Sequence, residues 1–188
     1  MLLLSWSNLP NAICVIRMIL TVPIVIFLIN FEYQLALLLV VIAGLSDALD
    51  GFLAKRFNWK SWLGAILDPM ADKLMFISVF AALTWTGLVP DWLFFVVVGR
   101  DLVIVLGAIV YQVLIEPLEP RPSKVGKLNT ITALIYLFSV IAYQIYGWPS
   151  STIILISGAM VFVISLVSGL HYVLTWSRMA LEFFRQEA

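Results

Sequence analysis

The sequence predicts an all-α integral membrane protein with six transmembrane helices, and three observations carry that reading. Hydrophobic residues make up 63% of the 188 residues, and the mean hydropathy is +1.07. Charged residues are only 12%, against about 25% in soluble domains. Lipid offers no partners to backbone polar groups, so apolar runs of about 20 residues are read as helices. The length fits six spans with short connections, as one membrane domain covering residues 1–188. A net charge of zero gives no general attraction to nucleic acid. The single cysteine, Cys14, excludes both an intramolecular disulfide and a thiolate metal cluster within one chain.

The segment Met1-Leu2-Leu3-Leu4-Ser5-Trp6 lacks the basic start of a cleaved signal peptide. It is expected to lie on the membrane as a short interfacial segment anchored by Trp6. The first apolar run, 11–31, follows Asn8-Leu9-Pro10-Asn11 and stops at Asn30-Phe31-Glu32. The second, 34–56, ends at Phe57-Asn58-Trp59-Lys60, and the third, 63–86, at Gly87-Leu88-Val89-Pro90. The fourth, 91–115, meets the Pro-rich 116–122 stretch. The fifth, 129–147, closes at Gly147-Trp148-Pro149, and the sixth covers 151–176. Gly, Pro and Asn at these breaks are turn formers. The closing Arg178–Ala188 segment is amphipathic and expected at the surface.

Basic residues set the orientation. Lys55, Arg56 and Lys60 lie between the second and third runs, and Arg121, Lys124 and Lys127 between the fourth and fifth. Arg178 and Arg185 follow the sixth, and the other three loops hold no Lys or Arg. The positive-inside rule therefore puts both termini and the even-numbered loops in the cytoplasm.

Four aspartates interrupt the apolar pattern around the second cytoplasmic turn: Asp47 and Asp50, then Asp68 and Asp72. A carboxylate at bilayer depth costs roughly 2.5–3.5 kcal/mol. Four would cost on the order of 10 kcal/mol, as much as a domain's net stability. Asp47 and Asp50 share a helix face with Gly51 and Ala54, and Gly64, Asp68 and Asp72 recur every fourth residue. Two helices thus offer two carboxylates each, with small residues where a ligand could approach closely. Hard oxygen donors suit Mg²⁺, Mn²⁺ or Ca²⁺ rather than zinc, and four carboxylates suit two ions, an arrangement typical of phosphoryl transfer. Blander readings exist. Asp68-Pro69 also fits a helix start. Asp72 and Lys73 could form an ordinary partner set with Lys55 or Arg56, the carboxylate pairing with the cations. Intramembrane carboxylates also mark ion or proton pathways.

The stretch resembles the signature of the CDP-alcohol phosphotransferases, D-x2-D-G-x2-A-R-x8-G-x3-D-x3-D. Asp47, Asp50, Gly51, Ala54, Gly64, Asp68 and Asp72 match at every spacing; the signature arginine is Lys55 here, with Arg56 beside it. The resemblance implies a phosphatidyltransferase in which Asp47, Asp50, Asp68 and Asp72 hold two Mg²⁺ or Mn²⁺ ions against the pyrophosphate of CDP-diacylglycerol. It assigns Asp72 as the base that takes the acceptor's proton, and Asn11, Asp47, Gly51, Ala54, Lys55 and Gly64 to the nucleotide. A helix cap is an equally good reading of Asn11, compatible with that contact. The resemblance further implies a homodimer; the expected location is a bacterial inner membrane, with the site facing the cytoplasm as the basic residues place it.

Three more charges sit in apolar helices. Arg17 could snorkel to the interface. Arg100 is mid-helix, so it is read as facing an interior cavity, either paired with Asp101 or a motif aspartate, or binding an acceptor phosphate. Arg121, Lys124 and Lys127 serve topology and would also draw a phosphate-bearing acceptor. Val98-Gly99-Arg100-Asp101, Gly126-Lys127-Leu128-Asn129-Thr130 and Pro10-Asn11 are similar to the CMP-forming cardiolipin synthases. Phosphatidylglycerol is therefore the favoured acceptor, with glycerol 3-phosphate the alternative. Ion transport and a non-catalytic scaffold are the readings from other classes. Small residues at Ser157-Gly158-Ala159, Ser165 and Ser168-Gly169 permit close helix contact, within the chain or with a second copy. His171 is read as a packing residue near the end of the last helix.

Overall fold

A computed structural model describes residues 9–56, 62–114 and 124–187 of the chain. Six helices follow in order: α1 Leu9–Ile29, α2 Tyr33–Arg56, α3 Trp62–Trp85, α4 Asp91–Leu114, α5 Lys124–Tyr146 and α6 Ser151–Glu187. Four of them, α1, α4, α5 and α6, are long and apolar enough to cross a membrane, and α2 adds the shorter apolar stretch Tyr33–Asp47. Exposed aromatics Phe31, Trp85, Trp92, Tyr146 and Trp148 all lie at the three turns without Lys or Arg. Amphipathic rings favour the headgroup layer.

Two helix ends show how the sequence stops a helix. Gly87 (φ 74) ends α3, with Gly87 N–H donating to Thr84 O at 2.9 Å and Leu88 N–H to Leu83 O at 3.0 Å. This is a Schellman cap, in which a left-handed residue satisfies the last carbonyls. α1 ends the same way, but with Phe31 (φ 64) in the left-handed place and Glu32 N–H on Phe27 O at 2.8 Å. A residue with a Cβ costs about 1–2 kcal/mol there.

Two boundaries differ from expectation. α5 begins at Lys124 rather than 129, because its first turn is polar and an apolar run cannot reveal it. α6 runs on to Glu187 rather than stopping near 176, because no Gly or Pro follows Gly169 to break it. The Met1–Trp6 segment lies outside the described residues. Asn11 lies inside α1, two residues past its first, so the cap reading gives way.

The chain divides into two compact units: residues 1–89 with 144–147, and 90–143 with 148–188. In the first, α1 packs on α2 and α3. Its buried stripe is Cys14, Arg17, Thr21, Ile24 and Leu28, spaced three and four apart, while Val15, Ile16, Ile19, Val22 and Ile26 are exposed. Ala36 and Ala43 of α2 and Ala71, Phe80 and Leu83 of α3 are fully buried.

In the second unit α4 packs on α6. Leu93, Val97 and Asp101, four residues apart, form the buried side of α4. Trp92 meets Phe162 edge to face at 5.3 Å. A Cβ on Gly107 would overlap the indole of Trp176. Ser165 and Ser168 are fully buried; Ser165 donates to Asn129 Oδ1 at 2.7 Å, and Gly158 lies against the Tyr136 ring. In lipid, apolar helices gain little by hiding from solvent, so close contact at small residues and such polar bonds bind them.

Candidate functional site

Three helices of the first unit bring charge together. Asp47 of α2 joins Asp68 and Asp72 of α3, which share a face because they are one helical turn apart. One carboxylate oxygen from each lies within 4.8 Å of the others. Arg17 of α1 closes the group. Its Nη2 lies 2.7 Å from Asp47 Oδ1, and its Nη1 lies 3.5 Å from Asp68 Oδ1 and also bonds Asp72 Oδ1. Cys14 Sγ, one turn earlier on the same stripe, donates to Asp68 Oδ1 at 3.7 Å.

Two expectations are overturned here. Arg17 does not snorkel: its side chain is 0% exposed, held inward by carboxylates on two helices. Asp68-Pro69 is not a helix start, since α3 begins at Trp62 and Pro69 lies inside it.

The electrostatics are unbalanced. Fully ionised, the three carboxylates carry −3 and Arg17 supplies +1, leaving −2 on side chains that are 42–52% exposed. An accessible cluster of hard oxygen donors with that residual charge fits a hard divalent cation. Gly64 sits one turn before Asp68 on α3 and is half-buried. Asn11, Asp50, Gly51, Ala54 and Lys55 belong to helices, but their surroundings lie outside the described residues.

The second unit holds its own buried polar group. Arg100 Nη1 donates to Asp101 Oδ1 at 2.6 Å, Nε donates to Ser168 Oγ at 3.1 Å, and Nη2 donates to the same hydroxyl. The guanidinium carbon lies 5.6 Å from the Tyr172 ring centroid, within cation–π range. Arg100 is therefore paired with Asp101 rather than with a motif aspartate. Lys127 is exposed; Arg121 and the Lys124 side chain lie outside the described residues. His171 is exposed and meets its chain neighbour Tyr172 edge to face at 6.1 Å.

Residues 7–183 match the CDP-alcohol phosphatidyltransferase family. The chain belongs to that family. Among its relatives, the CDP-diacylglycerol–glycerol-3-phosphate 3-phosphatidyltransferase of Aquifex aeolicus is 34% identical over 143 residues, covering 74% of this chain and 78% of that enzyme. The CMP-forming cardiolipin synthase of Homo sapiens is 29% identical over 163 residues, 78% of this chain and 54% of the other. That of Streptomyces coelicolor is 37% identical over 118 residues, 62% and 54% respectively. The chain thus spans about half the length of these two cardiolipin synthases.

In this CDP-alcohol phosphatidyltransferase, the acidic triad Asp47, Asp68 and Asp72 is positioned to hold a divalent ion. The residue that sequence reasoning missed is Arg17. A signal existed: Cys14, Arg17, Thr21, Ile24 and Leu28 form a single stripe, so a charge at Arg17 had to face the interior once that stripe was taken as the packed face.

Proposed function

We propose that the protein transfers a phosphatidyl group from CDP-diacylglycerol to the hydroxyl of phosphatidylglycerol, forming cardiolipin and CMP. The observation that supports the transfer step, common to either acceptor, is the convergence of Asp47, Asp68 and Asp72, all signature positions, within 4.8 Å of one another. Together with Asp50, these residues would hold two divalent ions, Mg²⁺ or Mn²⁺. Such ions neutralise a pyrophosphate and make CMP a better leaving group.

The chain's own residues supply the rest. Asp72 takes the proton of the attacking hydroxyl as its oxygen bonds to the phosphatidyl phosphorus, and the bond from that phosphorus to CMP breaks. Gly51, Ala54 and Gly64 let the nucleotide approach the helix backbones, with Asn11, Asp47 and Lys55 contacting it. Arg100, Arg121, Lys124 and Lys127 bind the acceptor. The Asp101 carboxylate already balances Arg100, which suits a singly charged phosphodiester better than a dianionic phosphate. The protein works as a homodimer in a bacterial inner membrane, with six spans, both termini cytoplasmic and the site facing the cytoplasm.

Transfer to glycerol 3-phosphate is the second reading, favoured by the Aquifex aeolicus relative. Purified protein given CDP-diacylglycerol and each acceptor separately decides between them. Cardiolipin should form with phosphatidylglycerol; turnover with glycerol 3-phosphate alone would move the assignment to the second.

A further inference from the structure

Arg17 bonds or faces Oδ1 of each of the three carboxylates that could hold a metal. Its Nη1 bonds Asp72 Oδ1 and lies 3.5 Å from Asp68 Oδ1, while Nη2 takes Asp47 Oδ1. It is fully buried on α1, its carboxylates come from α2 and α3, and those carboxylates remain half-exposed. A planar fork with two separate terminal nitrogens can bridge two helices in a way that a single ammonium cannot. Without it, three like charges within 4.8 Å would lose the guanidinium bonded to them.

We propose that Arg17 is a resident counter-cation that holds the carboxylates of α2 and α3 in register before a divalent ion arrives, and yields the Asp68 and Asp72 oxygens when one binds. Arg17 is thus a positioning residue, and guanidinium and ion compete for the same three carboxylates. The inference rests on the metal reading of the triad. Two consequences follow from the competition. Removing the guanidinium makes the fold depend on the ion, and it makes the ion bind more tightly, because the site's residual charge grows from −2 to −3.

The test uses full-length protein in detergent, prepared with Mg²⁺ and then exchanged into chelator or Mn²⁺, with no lipid substrate. Thermal unfolding is measured in both states, and Mn²⁺ binding by the loss of free-ion electron paramagnetic resonance signal. Wild type should unfold only modestly higher with ion than in chelator, by the amount its own Mn²⁺ affinity dictates, and by less than Arg17→Gln gains. Arg17→Gln should unfold about 10 °C lower in chelator, recover most of that with millimolar Mn²⁺, and bind Mn²⁺ about tenfold more tightly than wild type. Arg17→Lys keeps the charge without the fork and should fall between the two in chelator, which keeps the test decisive if Arg17→Gln cannot be folded.

An Arg17→Gln protein as stable as wild type in chelator would overturn the proposal, as would unchanged or weaker Mn²⁺ binding. Wild type that binds no Mn²⁺ would overturn the metal reading itself, a result separable from failure of the Arg17 role because it appears in the unmutated protein.

Discussion

Asp72→Asn separates a chemical role from a structural one. At the 4.8 Å that bounds the cluster, two carboxylates repel by about 3.5 kcal/mol at an effective dielectric near 20, and about 0.9 kcal/mol at that of water. The side chains are 42–52% exposed, so a value of about 1–2 kcal/mol per pair applies. The amide removes two such repulsions, against Asp47 and Asp68, and one attraction to Arg17 of comparable size. It also keeps an oxygen that can accept from the guanidinium. Stability in chelator should therefore change by no more than about 1–2 kcal/mol, a shift of at most about 8 °C for a chain of this length. Turnover should fall about 10²–10⁴-fold, since both a metal ligand and the proton acceptor are lost. The assay is CMP release from CDP-diacylglycerol beside thermal unfolding of the same preparation. Turnover within about threefold of wild type would refute the role given to Asp72. A drop of more than about 10 °C in chelator would refute the charge reasoning.

Chelation should abolish turnover, and Mg²⁺ or Mn²⁺ should restore it where Zn²⁺ does not, given an all-oxygen donor set; CMP release after metal add-back checks this. Asp101→Asn leaves the buried Arg100 charge without its carboxylate, a loss of 3–5 kcal/mol in general. Ser168 and Tyr172 remain in contact, so about 2–3 kcal/mol is expected here, and thermal unfolding should show Arg100→Met/Asp101→Leu to be less damaging than Asp101→Asn alone. Gly107→Ala should destabilise by about 1–3 kcal/mol through overlap with Trp176. Adding Trp176→Leu should recover part of that loss in a double-mutant cycle.

Helix count and order were readable because Asn30, Gly87, Pro90 and Gly147 punctuate the apolar runs, and the structure turns at or beside each. The two misplaced boundaries share one cause: hydropathy detects lipid-facing length, whereas helices extend past it wherever backbone bonds continue, as at Lys124 and Glu187. The acidic residues were legible as a group from their spacing, but their counterpart was not. Arg17 is 30 residues from Asp47 and 55 from Asp72, and only packing of α1 on α2 and α3 unites them. At Arg100 the sequence left two partners open; the adjacent Asp101 is the one in contact, with Ser168 supplied from α6.

The serine and glycine positions along α6 have a consequence for assembly. Ser165 and Ser168 are wholly enclosed by their own chain, Gly158 is filled by Tyr136 and Gly169 by Arg100. A notch already occupied cannot seat a neighbouring subunit. These four positions are therefore not where a second copy would seat, and cysteine cross-linking at outward α6 residues such as Leu155, Val163 and Leu170 tests whether this helix lies at a seam at all.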